Sequence, residues 1–336
     1  MKKKKYNSMI IAVAALVVAG GAYLGLTKYN DYKEKKEAEQ ASAEAVNQTY
    51  INQMDTIQKV VVKNSYGEYS FSLNDEKWVY DGDSTFPLDE SLLSSIASQG
   101  QALTAVNVYE EIDELSAYGL DEAAIQVTFT DDTGKSAVIS YGNAVNEYYY
   151  CKEGESDLVY TVDSTLYSEL DKDLMDFVLL DTIEGIDGDI LGYTVTMDGE
   201  EYYFDSETST TTPEDAEEEA TEVTTWYITV DGVRTKIEDT NAIDSLVSQV
   251  SSMTFTECVE YNADDKTKES YGMLQPACEI TVHYLDSDSN ECSSTVVIGN
   301  ETEDAYYGML KDSKLINLIS DTSVTTVMDA VKTITK

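Results

Sequence analysis

The sequence of 336 residues is poor in the residue types that carry much of enzyme chemistry. It contains one histidine, His283, which excludes zinc proteases that bind their metal through the two histidines of an HExxH motif. It also contains no GxSxG nucleophile elbow, no GxxxxGK(S/T) phosphate loop and no GxGxxG segment opening a helix after a strand. We therefore predict no catalytic residue, no cofactor and no enzyme activity, and interpret His283 as a solvated residue on the polar side of a strand.

Cysteines are few and are not spaced as metal ligands. They are Cys151, Cys258, Cys278 and Cys292, and no two form a CxxC pair. In a hairpin centred near Asp288, Cys278 would face Ile298 and Cys292 would face Tyr284, so these two are not natural cross-strand partners. The sequence leaves the disulfide state open and favours buried or half-buried free thiols.

Basic residues are scarce as well. The chain has 22 lysines and arginines against 64 aspartates and glutamates, and eight of the lysines precede residue 37. The rest of the chain has 14 basic and 62 acidic residues, a formal charge of −48. Such a polyanion repels phosphate backbones, so we predict that nucleic acid is not a partner. The charge suits a soluble surface, or a specific cationic partner.

The many carboxylates form no recognisable metal or catalytic set. Asp286, Asp288 and Asn290 alternate like the start of an EF-hand loop, but Glu291 occupies the place of the turn glycine. Val297 occupies the place of the bidentate glutamate, so we interpret the segment as a polar turn and predict no metal site. A hydrolase that uses two carboxylates is the weakest alternative for the function.

Long apolar runs are absent except for one near the N-terminus. Residues 9–26 carry no charge, and a helix of this length spans roughly 27 Å, which is just enough to cross a bilayer. Lysines 2–5 precede the run and favour a cytoplasmic N-terminus. We predict a basic cytoplasmic tail over 1–8, a transmembrane signal anchor over 9–26 and a helical stalk over 27–56, with a cleaved secretory signal as the alternative. The chain after residue 26 is then extracellular.

Two stretches of the chain resemble each other, 118–143 and 271–300. Apolar residues alternate with polar ones at the start of both, at Ile125, Val127 and Phe129 and at Ile280, Val282 and Tyr284. This period of two predicts an antiparallel hairpin with one buried face in each stretch. Similarity within one chain predicts two copies of one fold.

The repeat places a first module at 57–180 and a second at 188–336. Each has a strand pair, a strand containing tryptophan, a helix, the hairpin and further strands. In the first module the tryptophan strand is Lys77–Tyr80, Asp89 can cap the helix that follows, and a second helix closes the module over 164–178. We therefore predict an α+β fold of two tandem repeated modules, each mainly antiparallel β-sheet with a few helices, behind the transmembrane helix.

An insertion distinguishes the second module from the first. Phe71 corresponds to Phe204 at an offset of 133, whereas Trp78 corresponds to Trp226 at an offset of 148. The interval is rich in acidic and hydroxyl residues and has little to bury. It predicts a disordered acidic loop over 206–224.

The order of these features resembles that of the extracytoplasmic proteins grouped as domain of unknown function 4340. The most specific shared part is YGL followed by an alternating strand and a strand that ends in YGN. The likeness covers most of 57–178 and, more loosely, 192–331, with Ala123 where the family usually has proline and YGM with Pro276 in the second copy. The resemblance implies no established activity. It implies an association with ABC-type transporter components, because the genes often lie side by side.

Tyrosine is the one abundant aromatic residue, with 25 copies. Two clusters occupy corresponding strands after the hairpins, Tyr148, Tyr149 and Tyr150 and then Tyr306 and Tyr307. Alternation turns at least one tyrosine of each cluster outward, so we predict an interaction surface there. We expect a single-pass membrane protein that acts outside the cell as an accessory to ABC-type transporter subunits or envelope proteins. The alternative is a module that binds wall glycan or peptide, and the oligomeric state is not indicated.

Overall fold

The computed structural model describes residues 49–112, 114–186, 188–211 and 221–336. The first half of the chain contains strands β1 (Thr49–Tyr50), β2 (Ile57–Lys63), β3 (Glu68–Asn74), β4 (Lys77–Tyr80), β5 (Thr104–Ala105), β6 (Asn107–Tyr109), β7 (Ile125–Asp131), β8 (Ser136–Val145), β9 (Tyr148–Glu153) and β10 (Val159–Asp163). The second half contains β11 (Asp189–Met197), β12 (Glu200–Thr211), β13 (Thr221–Val230), β14 (Val233–Lys236), β15 (Phe255–Glu260), β16 (Cys278–Leu285), β17 (Glu291–Glu301), β18 (Ala305–Leu310) and β19 (Ile316–Ser320). The helices are α1 (Glu90–Gln101), α2 (Thr165–Leu170), α3 (Thr240–Ser251), α4 (Asp265–Ser270) and α5 (Asp321–Ile334), with 3₁₀ turns at Leu115–Tyr118 and Met175–Phe177.

The strands form two large sheets and one short pair. The first sheet has the order β4-β3-β2-β7-β8-β9-β10-β6, the second has the order β14-β13-β12-β11-β16-β17-β18-β19-β15, and β1 pairs with β5. Every strand pair between these elements is antiparallel. The prediction of an α+β fold dominated by antiparallel sheet is confirmed.

The core of the first sheet lies between the strands and the helices α1 and α2. Alternate residues of β2 and β7 point into it, and Val60, Val127 and Phe129 are fully buried. Helix α1 begins where the Asp89 carboxylate accepts the backbone N–H groups of the first turn, as predicted, and its residue Ile96 completes the layer.

The core of the second sheet has the same construction. Helices α3 and α5 pack against each other on one face of the sheet and bury Ile243, Leu246 and Val327 against Val282. The opposite, outer face of the sheet carries alternating polar residues over β11 and β12, and a smaller buried cluster around Val297, Met309 and Met273.

The two sheets also share their strand order and register. Phe71 pairs with Tyr80, two residues after Trp78, and Phe204 pairs with Ile228, two residues after Trp226. The offset therefore changes between β12 and β13, where the sequence places the insertion. The duplication itself stays a prediction.

The predicted acidic loop over 206–224 is wrong for the residues that the structure describes there. Residues 206–211 continue β12, residues 221–224 belong to β13, and the two strands pair from Ser206 with Trp226 to Thr211 with Thr221. Threonines favour strands because their branched side chains suit the pleated surface. Residues 212–220 lie outside the described part of the chain.

The predicted helical stalk over 27–56 is wrong at its end. Residues 49–56 are not helical, because Ile51 is buried in the first core and its N–H donates to the carbonyl of Leu103. The Asn52 side chain donates to the carbonyl of Gly100 at the end of α1. The folded part of the chain thus begins at least eight residues before the predicted module boundary.

The helix predicted over 164–178 is shorter than expected. Helix α2 ends at Leu170, where the Asn64 amide donates to the carbonyls of Leu170 and Lys172. The Asp173 carboxylate then accepts the N–H of Met175 at the start of a 3₁₀ turn. These bonds compete with continuation of the α-helix.

In the described part of the chain, no helix is long and apolar enough to span a bilayer. The predicted cytoplasmic tail over 1–8, the predicted anchor over 9–26 and most of the predicted stalk lie outside the described residues.

Candidate interaction surface

The first tyrosine cluster of the sequence lies on β9 and is half-buried. Tyr149 faces the core, where its ring stacks on Tyr167 with the centroids 3.7 Å apart. Tyr150 faces the opposite side, as alternation predicts, but packs edge-on against Tyr118 at 5.0 Å and Tyr109 at 5.8 Å. Its ring is therefore largely occupied by contacts within the chain.

The second cluster, on β18, has the same arrangement. Tyr306 faces the core and is only 8% exposed. Tyr307 faces outward, is half-buried, and packs edge-on against Tyr271 with the ring centroids 4.6 Å apart. Each outward tyrosine thus packs against a tyrosine that directly precedes a glycine. We call these two dipeptides, Tyr118-Gly119 and Tyr271-Gly272, the Tyr-Gly pairs.

The Tyr-Gly pair of the first module packs closely against the end of its hairpin. Gly119 has a φ of +69°, a conformation that favours glycine. A side chain at Gly119 would collide with Asn143, and one at Gly142 would overlap the carbonyl oxygen of Tyr118. Gly119 and Gly142 are therefore needed for the close approach of these two segments.

The second module repeats the contact. Gly272 has a φ of +83°, and a side chain at Gly299 would overlap the carbonyl oxygen of Tyr271. That same carbonyl accepts the backbone N–H of Asn300 at 2.9 Å. In both modules the outward tyrosine supports the segment that crosses the outer face of the sheet.

The remaining part of the outer face of the second sheet is open and polar. We call it the Tyr203 face, and its residues are Gly192, Thr194, Tyr203, Asp205, Glu207, Tyr227, Thr229, Arg234, Thr281, His283, Ser293 and Thr295. Cross-strand pairing places these residues on one side of β11 to β14, β16 and β17.

His283 lies within this face. Its Nε2 is 2.8 Å from the Thr194 hydroxyl, and its ring meets Tyr203 edge-on with centroids 5.7 Å apart. Partial burial lowers the pKa of His283, although the nearby Glu201 carboxylate acts in the opposite direction. The imidazole is therefore neutral at neutral pH and serves as a hydrogen-bonding group.

The tip of the Tyr203 ring lies over the neighbouring strand at Gly192. A Cβ atom at Gly192 would come within 2.5 Å of the carbonyl oxygen of Phe204, 2.9 Å of the Tyr203 hydroxyl oxygen and 3.0 Å of its ring. Glycine therefore leaves room both for the β12 backbone and for the ring tip. Burial raises the pKa of Tyr203, so the phenol keeps its proton.

Arg234, the single arginine of the sequence, fixes the other end of the face. Its guanidinium carbon lies 3.5 Å from the centroid of the Tyr227 ring. Its N–H groups donate to both carboxylate oxygens of Asp205, at 2.5 and 3.2 Å, and to Glu207 at 2.8 Å. Hydrogen bonds to Asp205 raise the already high pKa of Arg234, so this group is always charged and always paired.

The four cysteines are free thiols of low reactivity. Burial raises the pKa of Cys258 and of Cys278 to about 12, and that of Cys151 further. Burial and the neighbouring Asp286 carboxylate also raise the pKa of the half-buried Cys292. These thiols are protonated at neutral pH and poor nucleophiles.

The acidic turn near Cys292 is stabilised by its own hydrogen bonds. One Asp286 oxygen accepts the backbone N–H groups of Asp288 and Asn290, both at 2.9 Å. These bonds, with that of Asn290 the strongest, lower the pKa of Asp286. No group of three His, Cys, Asp or Glu side chains in the described part of the chain is placed to hold a metal ion.

The two modules meet at a seam beside β15. Cys258 belongs to the buried core of the first sheet, although β15 is a strand of the second. Tyr261 packs edge-on against Phe86 at 4.9 Å and donates its hydroxyl to Asp83 at 3.0 Å. The second module thereby completes the apolar core of the first.

Sequence reasoning placed His283 on a polar face but missed its neighbours. Thr194 and His283 are 89 positions apart, and no local pattern shows that β11 pairs with β16. The one available signal was the repeat, since β2 pairs with β7 in the first module and β11 holds the corresponding place in the second.

No curated protein and no solved structure matches the chain. The resemblance inferred from the sequence is supported over one segment that crosses from the first sheet into the second: residues 78–235, from β4 to β14, match the model of the family described as Domain of unknown function (DUF4340).

Proposed function

We propose that this protein is held in the membrane by residues 9–26 and acts outside the cell by binding other proteins, as an accessory to an ABC-type transport or envelope system. The observation that carries this proposal is the ribbon formed by residues 205–211 of β12 and 221–226 of β13. These segments pair only with each other, beyond the last pairs that β12 makes with β11 and that β13 makes with β14.

Trp226 at the base of the ribbon packs on Tyr193 in the core, but the outer part of the ribbon lacks a buried side among its described residues. Its side chains from Ser206 to Thr210 and from Glu222 to Thr224 are exposed, including Val223. An isolated two-stranded ribbon is marginally stable in water. An exposed ribbon that extends from a sheet is well suited to contact a second protein, and its exposed Glu222 suits a cationic one.

Two further proposals complete this function. The chain carries two copies of one module, supported by the identical order of the corresponding strands and the matching Tyr-Gly contacts. It is anchored by its N-terminus, supported by the uncharged run over 9–26 after four lysines.

The test is crosslinking from the ribbon in living cells. A photo-crosslinking amino acid is placed at Ser209 of the full-length protein and, as a matched control, at Tyr66, which is 60% exposed in a turn of the first sheet. We expect transporter or envelope subunits to crosslink from Ser209 and not from Tyr66. Identical products from both positions, or none from Ser209, would contradict the proposal.

A further inference from the structure

The Tyr203 face offers little net charge in a strongly acidic molecule. Arg234 is paired with Asp205 and Glu207, and His283 is neutral. Glu201 is exposed beside the face, and Glu291 lies close enough to Tyr203 to affect its pKa. These unpaired carboxylates repel phosphorylated or sulfated chains.

Hydroxyl groups dominate between the two ends of the face. Thr194 lies beside His283, and the Thr281 and Thr295 hydroxyls are 2.9 Å apart. Each hydroxyl can donate one hydrogen bond and accept two, and neutral imidazole both donates and accepts. Such groups match a ligand that is itself covered with hydroxyls.

Tyr203 supplies a flat apolar platform among these hydroxyls. Its ring tip lies over β11 at Gly192, and the side chain is half-buried, so part of the ring is exposed beside the hydroxyls. A pyranose ring has a face of C–H groups that packs on an aromatic ring, while its hydroxyls project sideways toward hydrogen-bonding partners.

We propose that the Tyr203 face binds an uncharged glycan, with one sugar ring stacked on Tyr203 and its hydroxyls bonded to Thr194, His283 and Arg234. A cationic peptide is less suited to this face, because Arg234 already occupies the carboxylates of Asp205 and Glu207. The inference goes beyond the accessory role and relocates glycan binding from Tyr148–Tyr150, Tyr306 and Tyr307. It does not require a transporter partner.

The experiment is a binding titration of the full-length protein in phosphatidylcholine nanodiscs, which avoids sugar-headed detergents. The probes are a tetramer of N-acetylglucosamine, cellotetraose, maltotetraose and tetralysine. We expect saturable binding of at least one neutral tetrasaccharide, weakened about tenfold or more by Tyr203→Ala and within about twofold of normal in Tyr66→Ala.

A second variant distinguishes a loss of binding from a loss of folding. Thr194→Val removes one hydroxyl while keeping the shape of the side chain, and we expect it to weaken binding at least threefold, on the order of one lost hydrogen bond. Circular dichroism verifies that each variant folds. Absence of saturable binding by every neutral tetrasaccharide, unchanged binding in both variants, or preferential tetralysine binding that Tyr203→Ala abolishes would overturn the proposal.

Discussion

His283 shows how strongly one position depends on its cross-strand neighbours. Its pKa is lowered from 6.5 because the ring is partly buried against Tyr203 and Thr194. The unfolded chain therefore takes up a proton at higher pH than the folded chain does. The corresponding stability is present above about pH 6.5 and is lost as the pH falls from there toward the lower folded pKa.

A single histidine makes this prediction easy to test. The one imidazole signal in an NMR titration should give a pKa below 6.5. Between pH 7 and 5.5, the native protein should lose more free energy of unfolding than His283→Asn does. A pKa at or above 6.5 would contradict the local environment described for this residue.

The cysteines give a second test at the residue scale. At pH 7.5 we expect Cys292, the least buried, to be the first to react with a maleimide, and Cys151, Cys258 and Cys278 to react only after unfolding. Mass spectrometry of the alkylated protein counts the modified thiols. Rapid modification of more than one thiol in the native state would contradict the burial of the other three. A disulfide would contradict their description as free thiols.

Residue-scale predictions from the sequence succeeded where only one strand period was needed. Cys278 faces Ile298 and Cys292 faces Tyr284, as the hairpin pattern predicts. Tyr150 and Tyr307 lie on the outward side, as alternation predicts, but both are half-buried because tyrosines from outside the strand pack against their rings. Alternation determines the side on which a residue lies, but not what covers that side.

At the scale of elements, the contact between each Tyr-Gly pair and its hairpin leaves no room for a larger side chain. Gly142→Ala and Gly299→Ala should each destabilise the protein by about 2 kcal/mol or more, because the new methyl group overlaps a backbone carbonyl. Chemical unfolding measures the change. Gly188→Ala is the matched control, since its nearest neighbour would lie at 3.6 Å, and equal effects at all three positions would refute the packing argument.

The strands and helices were predictable where polar and apolar residues alternate over a buried face. Strand β4 spans Lys77–Tyr80 as predicted, and α1 begins after Asp89. The ribbon of β12 and β13 was not predictable, because its composition is that of a disordered segment. It is extended by pairing between its own strands and by the bonds of Arg234 to Asp205 and Glu207.

The structure of residues 49–56 was also not predictable from the sequence. Residues 49–56 lack a clear period, and they are fixed by bonds to Gly100, Gln101 and Leu103 about 50 positions away. Long-range contacts of this kind leave no local pattern.

At the scale of the whole molecule, the seam predicts cooperative unfolding. Cys258 of the second sheet fills the core of the first, so the first module does not bury its core fully without the second. We expect a single transition in calorimetry. Tyr261→Ala should destabilise the protein by about 2–3 kcal/mol and Tyr261→Phe, which loses only the bond to Asp83, by about 1 kcal/mol. Two separate transitions in the native protein would contradict a shared core.

The placement of the chain outside the cell is the central claim, and one labelling experiment on intact cells tests it most directly. Ser209→Cys introduces an exposed thiol on the ribbon, and a membrane-impermeant maleimide is added before and after lysis. We predict labelling of the intact cells, in the membrane fraction, on a protein whose mass still includes residues 1–26. Labelling only after lysis would contradict the placement outside the cell, and recovery of a shortened protein in the medium would contradict the membrane anchor.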